Sequence, residues 1–279
     1  MNARFDTTPA GHADLAWIAR RLRGHVLRQA TARRSHIGSA LSIIEILTCL
    51  YFGYLRVDRQ TIHEPDRDRF ILSKGHGALG LYAALHEAGI LPAGMLAGYG
   101  SSGNPLGGHP SSKIPGVELG TGALGHGLAV GAGIAVAARV SGWASRVVVL
   151  MGDGELDEGA VWEAALFAAH RQLGNLVAII DRNGLQQEGA TEDILALEPL
   201  ADKWRAFGWH TLCSDGHDMV ALSAALAGIR GDGTKPTVLI ARTVKGKGVS
   251  FMEGAPQWHM AALDREHFKL AMAELEAGA

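Results

Sequence analysis

The chain has 279 residues, 47% hydrophobic and 19% charged, with a formal net charge of −2. That is the composition of a globular protein, and it offers no general attraction to nucleic acid or another polyanion. The first residues, MNARFDTTPAGHADLAW, lack the apolar core of a signal peptide. The longest run of small apolar residues, 128–138, falls short of the ~20 needed to span a bilayer, so a cytoplasmic protein without membrane contact is expected. Cys49 and Cys213 lie far apart without a partner motif and read as buried free thiols rather than a disulfide.

In chain order, residues 13–33 predict an amphipathic helix with Leu15, Ile18, Ala19 and Leu22 on its packed face. His36 falls in a short polar loop, after which Ser39 is a candidate cap for a helix ending near Leu55. An apolar pair, Ile71-Leu72, precedes Ser73-Lys74-Gly75-His76-Gly77, which opens a helix running to Glu87; such a helix start favours an anion. Residues 98–116 are rich in glycine and proline and contain GGHPSS, with His109, in what reads as a loop shaped around something. Residues 118–138 read as a helix of small residues whose glycines imply close approach, either of a neighbouring helix or of a ligand. Residues 203–216 read as helix, strand and turn, 219–229 as a helix, 236–241 as a buried strand, and the last residues as an amphipathic helix. Lys245 and Lys247 lie among glycines in a loop that either binds an anion or is merely solvated.

The most informative stretch is 146–187. Two β-branched apolar runs, 146–151 and 175–181, flank a segment in which Trp162, Leu166 and Ala169 recur at helical spacing, giving a strand–helix–strand unit. In a parallel sheet the ligand crevice lies beyond the carboxyl ends of the strands, and those ends carry Gly152-Asp153-Gly154 and Asp181-Arg182-Asn183. Asp153 and Asn183, with a nearby carbonyl, are hard oxygen donors suited to Mg²⁺ or Ca²⁺ holding a diphosphate. Taken alone, Asp-Gly and Asn-Gly are also ordinary turns. Glu158 and Glu163 project about 140° apart on an ideal helix and so do not form a simple acid pair.

GDG, a helix, an apolar strand and then Asn resembles the thiamine-diphosphate motif, and EGAVWEA with NLVAIIDRNGLQ, SKGHG and GGHPSS resembles transketolases in particular. The resemblance runs from about Asp14 to Glu274. It implies an α/β thiamine-diphosphate-binding fold, with a central mostly parallel sheet and helices on both faces, formed by residues 1–279 as a single domain with 1–13 as a tail. It assigns Asp153, Asn183 and the Leu185 carbonyl to a Mg²⁺ (or Ca²⁺) ion. His76, Gly122, Leu124, Gly154, Glu163 and Asn183 are assigned to the cofactor, and His36, His109 and His259 to substrate. Glu158 and Glu163 are placed in a network crossing a subunit interface. The late histidine departs from the usual His-Gly as His259-Met260, and Ala123 and His126 replace the proline and glutamine of the family's TGPLGQG.

The same resemblance implies ketol transfer between sugar phosphates. The glutamate that activates the cofactor belongs, in this family, to a pyrimidine-binding domain that has no match here. The expectation is therefore an N-terminal subunit that works with a separately encoded C-terminal partner in an α2β2 assembly. Alternatives are a 1-deoxyxylulose-phosphate-synthase-like subunit, a 2-oxo acid dehydrogenase E1 α-like subunit, and a non-catalytic binding module of the same fold.

Overall fold

The computed structural model describes residues 12–92, 94–187, 189–229, 231 and 233–277. Most of the expected tail, residues 1–11, lies outside them, and helix α1 (His12–Ala32) begins within its last two residues.

Five parallel strands make one sheet: β1 (Arg69–Leu72), β2 (Val147–Gly152), β3 (Leu176–Arg182), β6 (His210–Asp215) and β7 (Thr237–Arg242), in the order β1-β2-β3-β7-β6. A two-stranded antiparallel ribbon, β4 (Leu185–Gln186) and β5 (Gly189–Ala190), follows β3 and leads into the single turn α7 (Thr191–Ile194). Side chains alternate across the pleat, so both faces of the β-branched strands need cover. Val148 and Leu150 of β2, with Val177 and Ile179 of β3, face one core. That core is covered by α1, α2 (Ile37–Leu41), α3 (Ile44–Cys49), α4 (Ala78–Glu87), α9 (Met219–Ala227) and α10 (Arg265–Ala277). Val147, Val149 and Met151, with Ala178 and Ile180, face the other, under α5 (Gly127–Val140), α6 (Gly159–His170) and α8 (Leu200–Ala206). Each fully buried valine, leucine or isoleucine contributes about 1.5–3 kcal/mol, and every residue of β2 is buried. The expected α/β arrangement with two covered faces is the one observed.

Several expectations change in detail. The helix after His36 starts at Ile37, with His36 at the cap position and Ser39 inside it; it breaks before α3 and continues as a π-helical turn, Leu50–Tyr54. β1 is visible in the sequence only as an apolar pair, because its four residues gain their strand identity from pairing with β2. Residues 118–126 are not helical. Gly125 adopts φ +83°, which a right-handed helix excludes, so α5 starts at Gly127. In α6 the face toward the core is Val161, Ala164, Ala165 and Ala168, whereas Leu166 is 56% exposed. Small residues there let α6 approach closely, while Leu166 and Phe167 turn outward. Cys213 is exposed on the edge strand β6, unlike the buried Cys49.

Candidate active site

Four neighbouring strands end at one place, and each end delivers chemistry to it. After β1 comes Lys74, whose side chain is 1% exposed and whose ammonium pairs with the Asp181 carboxylate. Its Nζ also donates to the Ser39 carbonyl at 3.2 Å. The turn Gly75–Gly77 then carries His76. A Cβ on Gly75 would lie 2.9 Å from the Thr121 carbonyl carbon, so glycine is required where the two loops meet.

After β2, Asp153 accepts from the Gly154 amide at 2.9 Å through Oδ1. Its Oδ2 accepts from the Gly184 amide at 2.6 Å and faces Arg182 Nη1 at 3.1 Å. Burial, then the nearby Asp181 charge, raises the Asp153 pKa despite these partners. Glu155 accepts from the amides of Gly125 at 2.9 Å and Gly152 at 3.2 Å, and from the Ser73 hydroxyl; burial raises its pKa too.

After β3, the Asn183 amide donates to Asp181 Oδ2 at 3.0 Å, and its carbonyl oxygen accepts from the Leu185 amide at 3.1 Å. After β7, Thr243 donates to Asp181 Oδ1, and Lys245, 3% exposed, places Nζ 2.9 Å from His259 Nδ1. Burial, and then the charge of Lys74, brings Lys245 down to about 8.

Over these ends sit four imidazoles. His36 is 5.5, 5.6 and 5.2 Å, ring centre to ring centre, from His76, His109 and His259, and His76 is 5.7 Å from His259. Tyr82 Oη donates to the His109 carbonyl at 2.9 Å and pins that loop. Burial lowers His36 and His259 to about 4, helped for His36 by His109 and for His259 by Lys245, and it lowers His76 as well. Near neutral pH, His36, His76 and His259 are therefore neutral imidazoles.

One cavity is lined by His36, His76, His109, His259, Gly122, Leu124, Asp153, Gly154, Asn183 and Leu185. Gly122 opens on it: a Cβ there would meet nothing nearer than the His109 ring, at 3.7 Å. Two expected residues do not line it. Glu163 lies on the exposed face of α6, outside the residues that line the cavity. Glu158 stands exposed at the start of α6, its side chain packed where a Cβ on Gly125 would be, at 2.6 Å. His126 is exposed at the start of α5 and also lies outside the cavity.

Sequence reasoning missed other lining residues: Ser39, Lys74, Glu155, Gln186 and Gln187. Glu155 has a visible signal, since it directly follows GDG. Lys245 and Lys247, alike in sequence, part company: Lys245 is buried against the cavity, while Lys247 pairs with Glu253 at the surface.

The cavity is suited to a metal-bound diphosphate on two grounds. Asp153, Asn183 and the Leu185 backbone present hard oxygen donors, the set Mg²⁺ or Ca²⁺ takes. Ser39 Oγ and Gln186 Oε1 are buried and have no hydrogen-bond partner among the described residues, which leaves polar atoms to be satisfied by an occupant.

Comparison with known proteins agrees with this geometry. The family described as transketolase, thiamine diphosphate binding domain, matches residues 18–276. The chain is 48% identical over 252 residues to one of the subunits of the apulose-4-phosphate transketolase of Actinobacillus succinogenes, covering 90% of this chain and 91% of that one. It is 42% identical over 242 residues to the 6-deoxy-6-sulfo-D-fructose transketolase subunit SqwG of a Clostridium species, covering 86% and 88%. Among solved structures, transketolase from Leishmania mexicana superposes with a TM-score of 0.86 at 30% identity, covering 96% of this chain but 42% of that longer chain.

Proposed function

Because the chain belongs to the transketolase thiamine-diphosphate-binding family, we propose that it is the diphosphate-binding subunit of a two-chain transketolase, a transferase that moves a two-carbon ketol unit between sugar phosphates. The observation that carries this reading is the convergence of Asp153, Asn183, Lys74, Lys245 and four histidines on one cavity at the carboxyl ends of β1, β2, β3 and β7. Relatives of nearly the same length are named as transketolase subunits, which supports a separately encoded partner.

In this reading Asp153, Asn183 and the Leu185 carbonyl hold Mg²⁺ or Ca²⁺, with His76, Gly154 and Asn183 against the diphosphate and Gly122 and Leu124 along the cofactor. Bound thiamine diphosphate supplies the nucleophilic carbon that breaks and remakes the bond beside the ketose carbonyl. The chain's own residues do the rest. His36, His109 and His259 contact substrate oxygens, and as neutral imidazoles His36 and His259 are able both to accept and to donate a proton. Lys245, with a pKa near 8, keeps His259 oriented through their hydrogen bond.

The cavity measures about 200 Å³. In this reading the pyrimidine-binding and C-terminal domains belong to a second subunit, in an α2β2 assembly. Glu158 and Glu163, exposed at the start and on the outer face of α6, face that partner. Residues 1–279 form one domain of this assembly, with 1–13 as a terminal tail, in the cytoplasm. Co-expression with a candidate partner, followed by a ketol-transfer assay, tests the reading: activity of the pair and none of either chain is expected. A pair that binds thiamine diphosphate but decarboxylates a 2-oxo acid instead would replace it.

A further inference from the structure

We propose that His25, His86 and Glu87 form a second metal site, for a transition-metal ion of the Zn²⁺ class, where α1 packs against α4. One ligand atom from each lies within 4.8 Å of the other two. His25 comes from the middle of α1, and His86 and Glu87 from the last turn of α4. The histidine rings meet edge to face with centres 5.0 Å apart, and His25 Nε2 is 2.5 Å from Glu87 Oε1.

An independent observation points to a ligand: His86 Nδ1 is buried and has no hydrogen-bond partner among the described residues. A buried ring nitrogen of that kind is normally satisfied, and a coordinated cation satisfies it by taking the lone pair. Two imidazoles and one carboxylate are a donor set of open zinc sites, with the remaining position left to solvent. Mg²⁺ and Ca²⁺, which take oxygen donors, are disfavoured.

Arg21 completes the arrangement from outside, its Nε 2.8 Å from Glu87 Oε2 and its Nη2 2.9 Å from Oε1. With Oε1 given to the ion, Oε2 retains the Arg21 contact, which fixes the carboxylate as outer partners of metal ligands generally do. His25 also lines an open surface groove with Trp17, Arg20, Arg21 and Arg28, through which an ion reaches the site. The arginines oppose a cation and hold the affinity to a moderate level. His76 precedes α4 and His86 lies in its last turn, so the site lies about 15 Å along that helix from the cavity. It is thus distinct from the Asp153 centre, and it ties α1 to α4.

The test uses the metal-free full-length chain, titrated with Co²⁺ followed by visible absorption and with Zn²⁺ followed by calorimetry. One ion per chain, the visible bands of a four- or five-coordinate site and a raised melting temperature are expected, unaffected by excess Mg²⁺. His25→Gln and His86→Gln should each weaken binding at least tenfold, and His36→Gln, in the cavity, should leave it unchanged. Glu87→Gln gives the same readout if a histidine variant does not fold. Absence of the bands, or bands that persist in these variants and vanish in His36→Gln, would overturn the proposal.

Discussion

Lys74 and Asp181 form an ion pair on the cavity floor with side chains only 1% and 0% exposed, joining the end of β1 to the end of β3. Asp181 also accepts from Ser42, Thr243 and Asn183, so the carboxylate joins the segments that follow α2, β3 and β7 to Lys74. Removing one member strands the other charge, which costs about 3–5 kcal/mol, whereas replacing both with apolar groups of similar size is often near neutral. Asp181→Ala should accordingly lower the denaturant midpoint sharply, and Lys74→Met with Asp181→Leu should recover most of the loss. Equal destabilisation by the single and double changes would show that the pair does not act as a unit.

The pair also has a pH signature. Burial pushes the Asp181 pKa up, but Lys74 and the Thr243 and Ser42 hydroxyls outweigh it, and the net shift is downward. The contribution is therefore full above the ordinary aspartate value, about 3.9, and is lost as pH falls through the lower folded value. Histidines add a separate slope. Unfolded His36 and His259 take up protons near pH 6.5, but folded they resist until about 4, so stability falls on acidification across that window. Denaturation measured from pH 7 to 4 should show this slope, and His259→Gln should flatten it. NMR of the imidazole nitrogens should find both rings neutral at pH 6.

Asp153→Ala removes the charged member of an otherwise neutral oxygen-donor set, so calorimetry should show affinity for Mg²⁺ and thiamine diphosphate in the assembled enzyme reduced by orders of magnitude, with folding retained. Because burial raises the Asp153 pKa, protons should compete with the metal at higher pH than for an ordinary carboxylate, and affinity should fall as pH is lowered.

The histidines divide by position. His109→Ala should lower kcat with little change in cofactor affinity, and His76→Ala should weaken the cofactor. A reversed pattern, in steady-state kinetics with cofactor titration, would exchange their roles.

The glycines of α5 are not equivalent. A Cβ on Gly131 would meet Val149 Cγ2 at 2.5 Å, and one on Gly127 the Ser73 Cα at 3.0 Å, whereas one on Gly133 meets nothing within 4 Å. Gly131→Ala should destabilise by roughly 1–3 kcal/mol through overpacking. Gly133→Ala should stabilise the isolated chain by roughly 0.5–1 kcal/mol.

How much was legible in the sequence follows from the range of the interactions. Asp153 and Asn183 were readable because a strand end and a turn residue sit together in sequence, and the histidines because each lies in its own local motif. The Lys74–Asp181 pair was not, since its members are 107 residues apart and meet only through the sheet order. Local pattern likewise could not say which face of α6 is buried: the apolar set at Trp162, Leu166 and Ala169 is genuine, but the alanine face is the one that fits against α5 and the sheet. Lys245 and Lys247 differ only in what the fold brings beside them.

The central claim is that this chain holds the cofactor's diphosphate but leaves activation to a partner, with Glu158 reaching toward it. The direct measurement is hydrogen–deuterium exchange at C2 of thiamine diphosphate, followed by NMR, with Mg²⁺ and the chain alone or with the partner subunit. Slow exchange with the chain alone, rapid exchange once the partner is added, and a slowed rate for Glu158→Ala in the pair are the expected results. Rapid exchange by the isolated chain would contradict the account, because it would show that the chain carries its own activating base.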